Sequence, residues 1–322
     1  PRRRLTKEEQ KQRLEEEIEF LKTRVIEEAP DSGYAPPLSQ RVAFSTLPLS
    51  EFTQKGLLEA KYTTMTAIQN ACIPHALPGR DILGAANTGS GKTLAFLIPA
   101  LERLFRNRFT PHDGPGAVIL SPTRELAIQI FQVLQKVGKH HSFSVGLLIG
   151  GRKDFYQEQE QITATNIIIA TPGRLLQHLE QTPNLDMNEL CMIAADEADR
   201  ILDLGFRDQL VRILDYLPAE RQTLLFSATQ TRDVSALATM SLRNPEYLGV
   251  HDKSEYSTPE ALQQSYVIVP REHKLNAIYS FIKSHLKYKS IIFMATCAQI
   301  RHANDLFCSI RPGVPILNLH GK

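Results

Sequence analysis

Asp196-Glu197-Ala198-Asp199 closes an apolar run, Leu190 to Ala195, and so places three carboxylates at the end of what reads as a buried strand. Crowding acidic groups in such a place is costly unless a cation or a donor compensates. A metal-bound nucleotide would do so, and a phosphate holder stands upstream in Ala86-Asn87-Thr88-Gly89-Ser90-Gly91-Lys92-Thr93. Gly89 and Gly91 let the backbone curl until successive N–H groups face a phosphate, and the following helix N-terminus adds its dipole. Lys92 can reach the β- and γ-phosphates, and Thr93 can offer its hydroxyl to Mg²⁺. The segment departs from the strict G-x-x-x-x-G-K-[ST] pattern at its first position, Ala86. Asp196 is the candidate carboxylate for Mg²⁺, and Glu197 the candidate for positioning and deprotonating an attacking water. A favourable acidic helix start would by itself account for Glu197 and Asp199. Together with the glycine-rich loop, the quartet points to nucleoside triphosphate chemistry.

Short apolar runs alternate with longer helical patterns between about residues 40 and 250. The runs are 81–85, 117–120, 166–170, the stretch ending at Ala195, and 223–226. Runs without polar alternation fit strands buried on both faces of a parallel sheet with helical crossovers. Each is followed at once by a polar or Gly/Pro cluster: the glycine-rich loop, 122–125, 171–174, 196–199 and 227–229. Ligands of open α/β sheets bind beyond the carboxyl ends of the strands. The clusters therefore converge on one rim.

Residues 6 to 28 read as a charged helix with a Thr6/Glu9 capping box and an apolar stripe of Leu14, Ile18, Leu21 and Val25. The expectation is a solvated extension helix, with a partner-binding seam as the alternative. The segment 29–37 is rich in turn formers and reads as a linker. Residues 251–263 read as a second linker, followed by an α/β pattern with strands at 265–269, 290–294 and 314–318 and helices between them. The predicted organisation is 1–40 extension and linker, 41–250 first domain, 251–263 linker, and 264–322 an incomplete second domain.

The motif series resembles the DEAD-box ATP-dependent RNA helicases from about residue 41 onward: Ala86 to Thr93, Pro122 to Leu126, Gly150-Gly151, Thr171 to Arg174, Asp196 to Asp199 and Ser227 to Thr229. The resemblance implies two RecA-like α/β domains, ATP and Mg²⁺ as cofactors, and RNA as partner. It makes Gln69 the reader of the adenine edge and Phe44, 25 positions upstream, an aromatic stacked on the base. Thr123, Arg124, Gly151, Thr171 and Arg174 become contacts to the RNA backbone, which read shape and not sequence. A structural ion pair is the alternative role for Arg124. Ser227, Thr229 and Asp199 become the coupling of hydrolysis to strand separation. Gly146 to Gly151, Leu175 to Leu179, Asn244 to Tyr247 and Tyr256 to Pro259 are similar to the nucleolar subgroup. That implies work on small-subunit pre-ribosomal RNA with small nucleolar RNA and pre-ribosomal proteins as partners, in the nucleus and nucleolus. An ATP-gated RNA clamp or scaffold within such a particle stays open as an alternative to a helicase.

Of the 322 residues, 42% are hydrophobic and 22% charged, and no apolar run approaches the ~20 residues of a membrane span. Net charge is +2, so nucleic acid would bind through local donors and not a global positive field. DNA is not an expected partner. The four cysteines, Cys72, Cys191, Cys297 and Cys308, form no close C-x-x-C pair and read as reduced thiols. Arg2 to Arg4 fit either an import signal or a solvated basic run. Pro1 and the family's missing arginine-bearing motifs suggest a piece of a longer protein, with weak ATP hydrolysis by itself.

Overall fold

Runs such as Ile167-Ile168-Ile169-Ala170 have no polar residue to turn outward, so they are stable only between two apolar layers. A computed structural model describes residues 6–37, 40–87, 89–151, 155–229, 231–249 and 262–320. It divides into two units, Pro1–Ser254 and Glu255–Lys322. Thr88, Arg2 to Arg4, Tyr256 to Pro259 and nearly all of the second predicted linker lie outside the described residues.

The first unit runs α1 (Lys7–Glu27), α2 (Glu51–Glu59), α3 (Ala67–Ala76), β1 (Ile82–Ala85), α4 (Lys92–Arg106), β2 (Ala117–Leu120) and α5 (Arg124–Val137). It continues through β3 (Val145–Leu148), α6 (Phe155–Ile162), β4 (Ile167–Ala170), α7 (Pro172–Gln181), β5 (Met192–Ala195) and α8 (Ala198–Asp203). It closes with α9 (Arg207–Asp215), β6 (Gln222–Ser227), α10 (Arg232–Ser241) and β7 (Glu246–Gly249). The strands form one sheet in the order β3-β4-β2-β5-β6-β1-β7, with every neighbouring pair parallel. The five predicted runs are its interior strands. The two edges, β3 and β7, were not among them. An edge strand needs no continuous apolar run: β3 is half-buried around Gly146, and β7 alternates buried and exposed residues.

Successive strand residues feed opposite layers, as the two-residue period requires. Ala117, Ile119, Ile167, Ile169, Met192 and Ala194 join the core under α3 to α5. Val118, Leu120, Ile168, Ala170, Ile193 and Ala195 join the core under α7 to α10. β6 lies between β1 and β5, so Ser227 stands between the phosphate-holding loop and the acidic quartet.

The N-terminal helix departs from expectation. Its capping box is present, with Glu9 N–H on Thr6 Oγ1 and Thr6 N–H on Glu9 Oε2. It is not a solvated extension, however. Ile18 and Leu21 are buried against Phe105, with Phe52 and Phe143 alongside, and Val25 enters the main core. Glu17 also accepts the N–H of Glu51 at the start of α2, at 2.7 Å. The 29–37 segment is pinned as well: Gly33 N–H donates to Glu246 at 2.8 Å, and His75 Nε2 lies 2.7 Å from Tyr34 O. The stripe is narrow because it meets one side of α4, not because it faces water.

In the second unit α11 (Lys274–Ser284) and α12 (Cys297–Ile310) are the expected helices, joined by a small core of Ile282, Ala303 and Phe307. The three predicted strands are not formed among the described residues. Ile268, Phe293 and Leu317 lie about nine-tenths exposed, since a strand needs a ladder partner and these stretches have none. Among the described residues no helix is long and apolar enough to cross a membrane, and the four cysteines are free.

Leu21→Ala should lower the unfolding free energy of the chain by about 2–4 kcal/mol in urea titrations. Leu14→Ala, at the exposed N-terminal end of the same stripe, should change it by less than ~0.5 kcal/mol. Equal, small effects would return α1 to solvent.

Candidate active site

The loop after β1 is shaped by its glycines. Gly89 and Gly91 have φ of 83° and 90°, where a Cβ is disfavoured. Gly91 is also crowded: a Cβ there would lie 2.7 Å from Gln69 Nε2 and 3.0 Å from the Thr66 side chain. Ala86, where the strict pattern has glycine, is buried and extends the strand pairing through its N–H to Ser227 O at 3.0 Å. Asn87 is exposed. Lys92 opens α4 with Thr93 behind it.

Lys92 is buried, and its Nζ lies 3.9 Å from Asp196 Oδ1. Among the described residues neither atom has a hydrogen-bond partner, and the buried Ser90 Oγ also has none. Each buried orphan of this kind costs about 1–3 kcal/mol. Three of them occur on one loop and the residue opposite it. A triphosphate with a divalent cation fits this set: Lys92 and Ser90 suit phosphate oxygens, and Asp196 with the Thr93 hydroxyl suits the ion. Among the described residues no cluster of three His, Cys, Asp or Glu could hold a metal ion alone, so oxygens from phosphate or water would have to complete its shell.

Burial pushes the Asp196 carboxyl up to about 6, against the pull of Lys92, and the neighbouring Glu197 charge adds to the rise. Glu197 occupies the left-handed region at φ 51°, ψ 52°, where a non-glycine residue costs roughly 1–2 kcal/mol. The turn carries the chain from β5 into α8. It leaves the Glu197 side chain buried, with Arg200 Nη1 at 3.3 Å from Oε2. Asp199 faces the end of β6: its Oδ2 accepts from Thr229 N–H at 2.9 Å and from Thr229 Oγ1 at 2.8 Å. Ser227 Oγ donates to Thr229 O at 2.6 Å. Burial raises the Asp199 carboxyl, but the Thr229 bonds outweigh it and hold it below its usual value.

Gln69 is not the ordinary helix-surface residue that its position alone suggests. It is buried, its Oε1 accepts from Thr66 N–H at 2.8 Å, and its Nε2 donates to Gly91 O at 2.7 Å. One N–H and one lone pair remain for an adenine edge. Phe44 is tied to the same scaffold: its N–H donates to Thr63 O at 3.1 Å, and Met65 N–H to Val42 O at 2.8 Å. Its ring is 3% exposed inside the main core, so stacking on a base requires that ring face to be uncovered.

All five predicted RNA contacts follow strand ends, at a helix start or in the turn before one. Thr123 caps α5, accepting from Leu126 N–H at 3.3 Å. Arg124 is exposed and lies over Gly150-Gly151, where a Cβ on Gly151 would collide with the guanidinium. It makes no ion pair among the described residues. Thr171 N–H donates to Leu148 O at 3.0 Å, which holds the start of α7 against β3. Arg174 differs. Its side chain is 7% exposed, Nε donates to Glu158 Oε2 at 2.9 Å, and Nη1 donates to Gln177 Oε1 at 2.9 Å. The guanidinium sits 4.9 Å over the Phe155 ring. The ion pair weighed for Arg124 thus belongs to Arg174. Glu158 and His178 were missed, because a carboxylate in the alternating Gln157-Glu158-Gln159-Glu160-Gln161 looks like any solvated helix face.

Residues 66–237 match the DEAD/DEAH box helicase family, from the cap of α3 into α10. The chain belongs to that family. It is 49% identical over 332 residues to "DEAD-box ATP-dependent RNA helicase 32" of Arabidopsis thaliana, covering 95% of this chain and 45% of that protein. It is 56% identical to "ATP-dependent RNA helicase dbp4" of Aspergillus fumigatus, over 87% of the chain and 36% of the relative. "Probable ATP-dependent RNA helicase DDX10" of Gallus gallus is 55% identical, with 87% and 32% covered. The chain therefore spans less than half the length of these curated relatives. A crystal structure of a DEAD box protein from the hyperthermophile Methanococcus jannaschii is 27% identical, with a TM-score of 0.60 over 87% of this chain and 73% of that one. The DEAD-box fold thus explains the all-parallel sheet and its loaded carboxyl edge.

A carbon-13 NMR titration of the Asp196 carboxyl in the nucleotide-free chain should show a midpoint near 6. Added MgADP should move it down, since a cation favours the ionised form. Thr229→Val should cost roughly 1 kcal/mol in unfolding experiments and raise the Asp199 pKa, because a bond to the charged form is lost. MgADP affinity should be unchanged.

Proposed function

We propose that the protein carrying this chain is an ATP-dependent RNA helicase of ribosome assembly. The observation that carries the nucleotide half of the reading is the set of orphaned buried atoms, Ser90 Oγ, Lys92 Nζ and Asp196 Oδ1, opposed across the end of the sheet. Gly89 to Thr93 bind and orient the phosphates. Gln69, already bonded to Gly91, selects adenine with its remaining donor and acceptor. Mg²⁺, held by Asp196 and the Thr93 hydroxyl, would neutralise charge on the phosphates. Glu197 holds and deprotonates the attacking water. The Asp199–Thr229–Ser227 bonds link that acidic turn to the end of β6, and so supply a route from hydrolysis to movement.

RNA lies along Thr123, Arg124, Gly151, Thr171 and Arg174, where hydroxyls, a glycine N–H and guanidinium forks suit phosphates and 2′-OH groups. The subgroup traits at 146–151, 175–179 and 244–247 support pre-ribosomal RNA as the substrate, with small nucleolar RNA and pre-ribosomal proteins nearby. They support a nucleolar site of action.

Glu197→Gln in the natural full-length protein should cut RNA-stimulated ATP turnover by ~10²–10⁴-fold, the usual weight of a general base. MgATP binding should persist. Unchanged turnover would remove Glu197 from the reaction, and stimulation by DNA as strong as by RNA would sink the RNA assignment. Crosslinking and sequencing of bound RNA should recover small-subunit precursor sequences; their absence would overturn the ribosomal placement.

A further inference from the structure

Arg174 occupies a position that is hard to reconcile with an RNA contact as it stands. Its guanidinium is clamped between Glu158 of α6, Gln177 of its own helix and the Phe155 ring. A phosphate could not reach it without displacing one of these. Yet the buried arrangement is incomplete: Arg174 Nη2 and Glu158 Oε1 are both buried without a partner among the described residues. A satisfied structural ion pair would have closed both. An arginine fork and a carboxylate each left one atom short sit near balance with an alternative partner for the arginine.

The carboxylate has a second ligand in reserve. His178 Nε2 lies 2.9 Å from the same Glu158 Oε2 that takes Arg174 Nε, and Thr182 Oγ1 lies 2.9 Å from His178 Nδ1. His178 is fully buried and rests on Phe155, with ring centroids 4.5 Å apart. If Arg174 leaves, Glu158 keeps the imidazole and is not stranded. A buried carboxylate that loses its only partner is strongly destabilising, so this reserve is what makes departure affordable. Arg174 also stands on the first turn of α7, three residues after Thr171, at the same rim of strand ends as Arg124 and Gly151.

We propose that Glu158 and His178 form a latch that holds Arg174 inside the domain, and that RNA binds by drawing the guanidinium out to a phosphate. Phosphate offers the same bidentate geometry as the carboxylate and a stronger charge. Apparent RNA affinity is then reduced by the fraction of molecules in which Arg174 is latched. The inference rests on the reading of RNA as substrate and of Arg174 as one of its contacts.

The test is the RNA concentration giving half-maximal ATPase stimulation in the natural full-length protein. Glu158→Gln keeps the shape and removes the charge; it should lower that concentration by roughly three- to tenfold with the KM for ATP unchanged. Arg174→Ala should raise it, and Glu158→Gln combined with Arg174→Ala should match Arg174→Ala alone. A purely structural carboxylate would give the opposite sign, weaker RNA binding with lost stability. If Glu158→Gln does not fold, Gln177→Ala removes the neutral clamp and should also tighten RNA binding. Unchanged or weaker binding in whichever of these variants folds overturns the latch. No effect of Arg174→Ala overturns the contact itself, and with it the latch, while leaving the rest of the RNA face standing.

Discussion

The structure turns on a buried cation and a buried carboxylate that face each other without touching. Lys92 Nζ and Asp196 Oδ1 are 3.9 Å apart, and neither is hydrogen-bonded. Two charges in that state would be tolerated poorly by a domain whose only task was to fold. The gap is too wide for a good ion pair and suits interposed oxygen ligands. The sheet order maintains it: β6 lies between β1 and β5, so the loop after β1 and the turn after β5 cannot collapse onto each other.

The same spacing organises everything nearby. Ser227, at the end of β6, is where Ala86 finds its backbone partner, and two residues on Thr229 donates both hydrogen bonds that Asp199 Oδ2 accepts. One strand end therefore touches the phosphate loop on one side and the acidic turn on the other. Gln69 extends the wiring from α3 to Gly91. Glu197 is held in the left-handed region as well, a conformation that Gly89 and Gly91 adopt without steric cost. The stiff apolar layers above and below the sheet hold these conformations in place.

Much of this was legible in the residues. Doubly buried strands advertise themselves as continuous apolar runs, so the five interior strands and their polar ends could be read directly. Edge strands β3 and β7 could not, because half-buried strands carry no such run. The predicted strands at 265–269, 290–294 and 314–318 have the right residues and no ladder, since pairing belongs to two chain segments and not one. The stripe on α1 was read correctly as a stripe and wrongly as solvated. Periodicity shows that a face is apolar, and what covers it lies elsewhere in the chain.

The sequence by itself determined the chemistry: Gly89, Gly91, Lys92, Thr93, Asp196 and Glu197 are residue types and spacings that suit a metal-bound triphosphate wherever the fold brings them together. Only the tertiary structure decided which polar groups are free to act. It placed Arg124 in the open over Gly151 and enclosed Arg174 with Glu158 and His178, although both arginines follow a strand end in the same way. It also turned Gln69 from a helix-surface residue into a buried link. Local sequence sets what a side chain can bond. Packing between distant segments sets what it has already bonded, and that remainder is what a ligand meets.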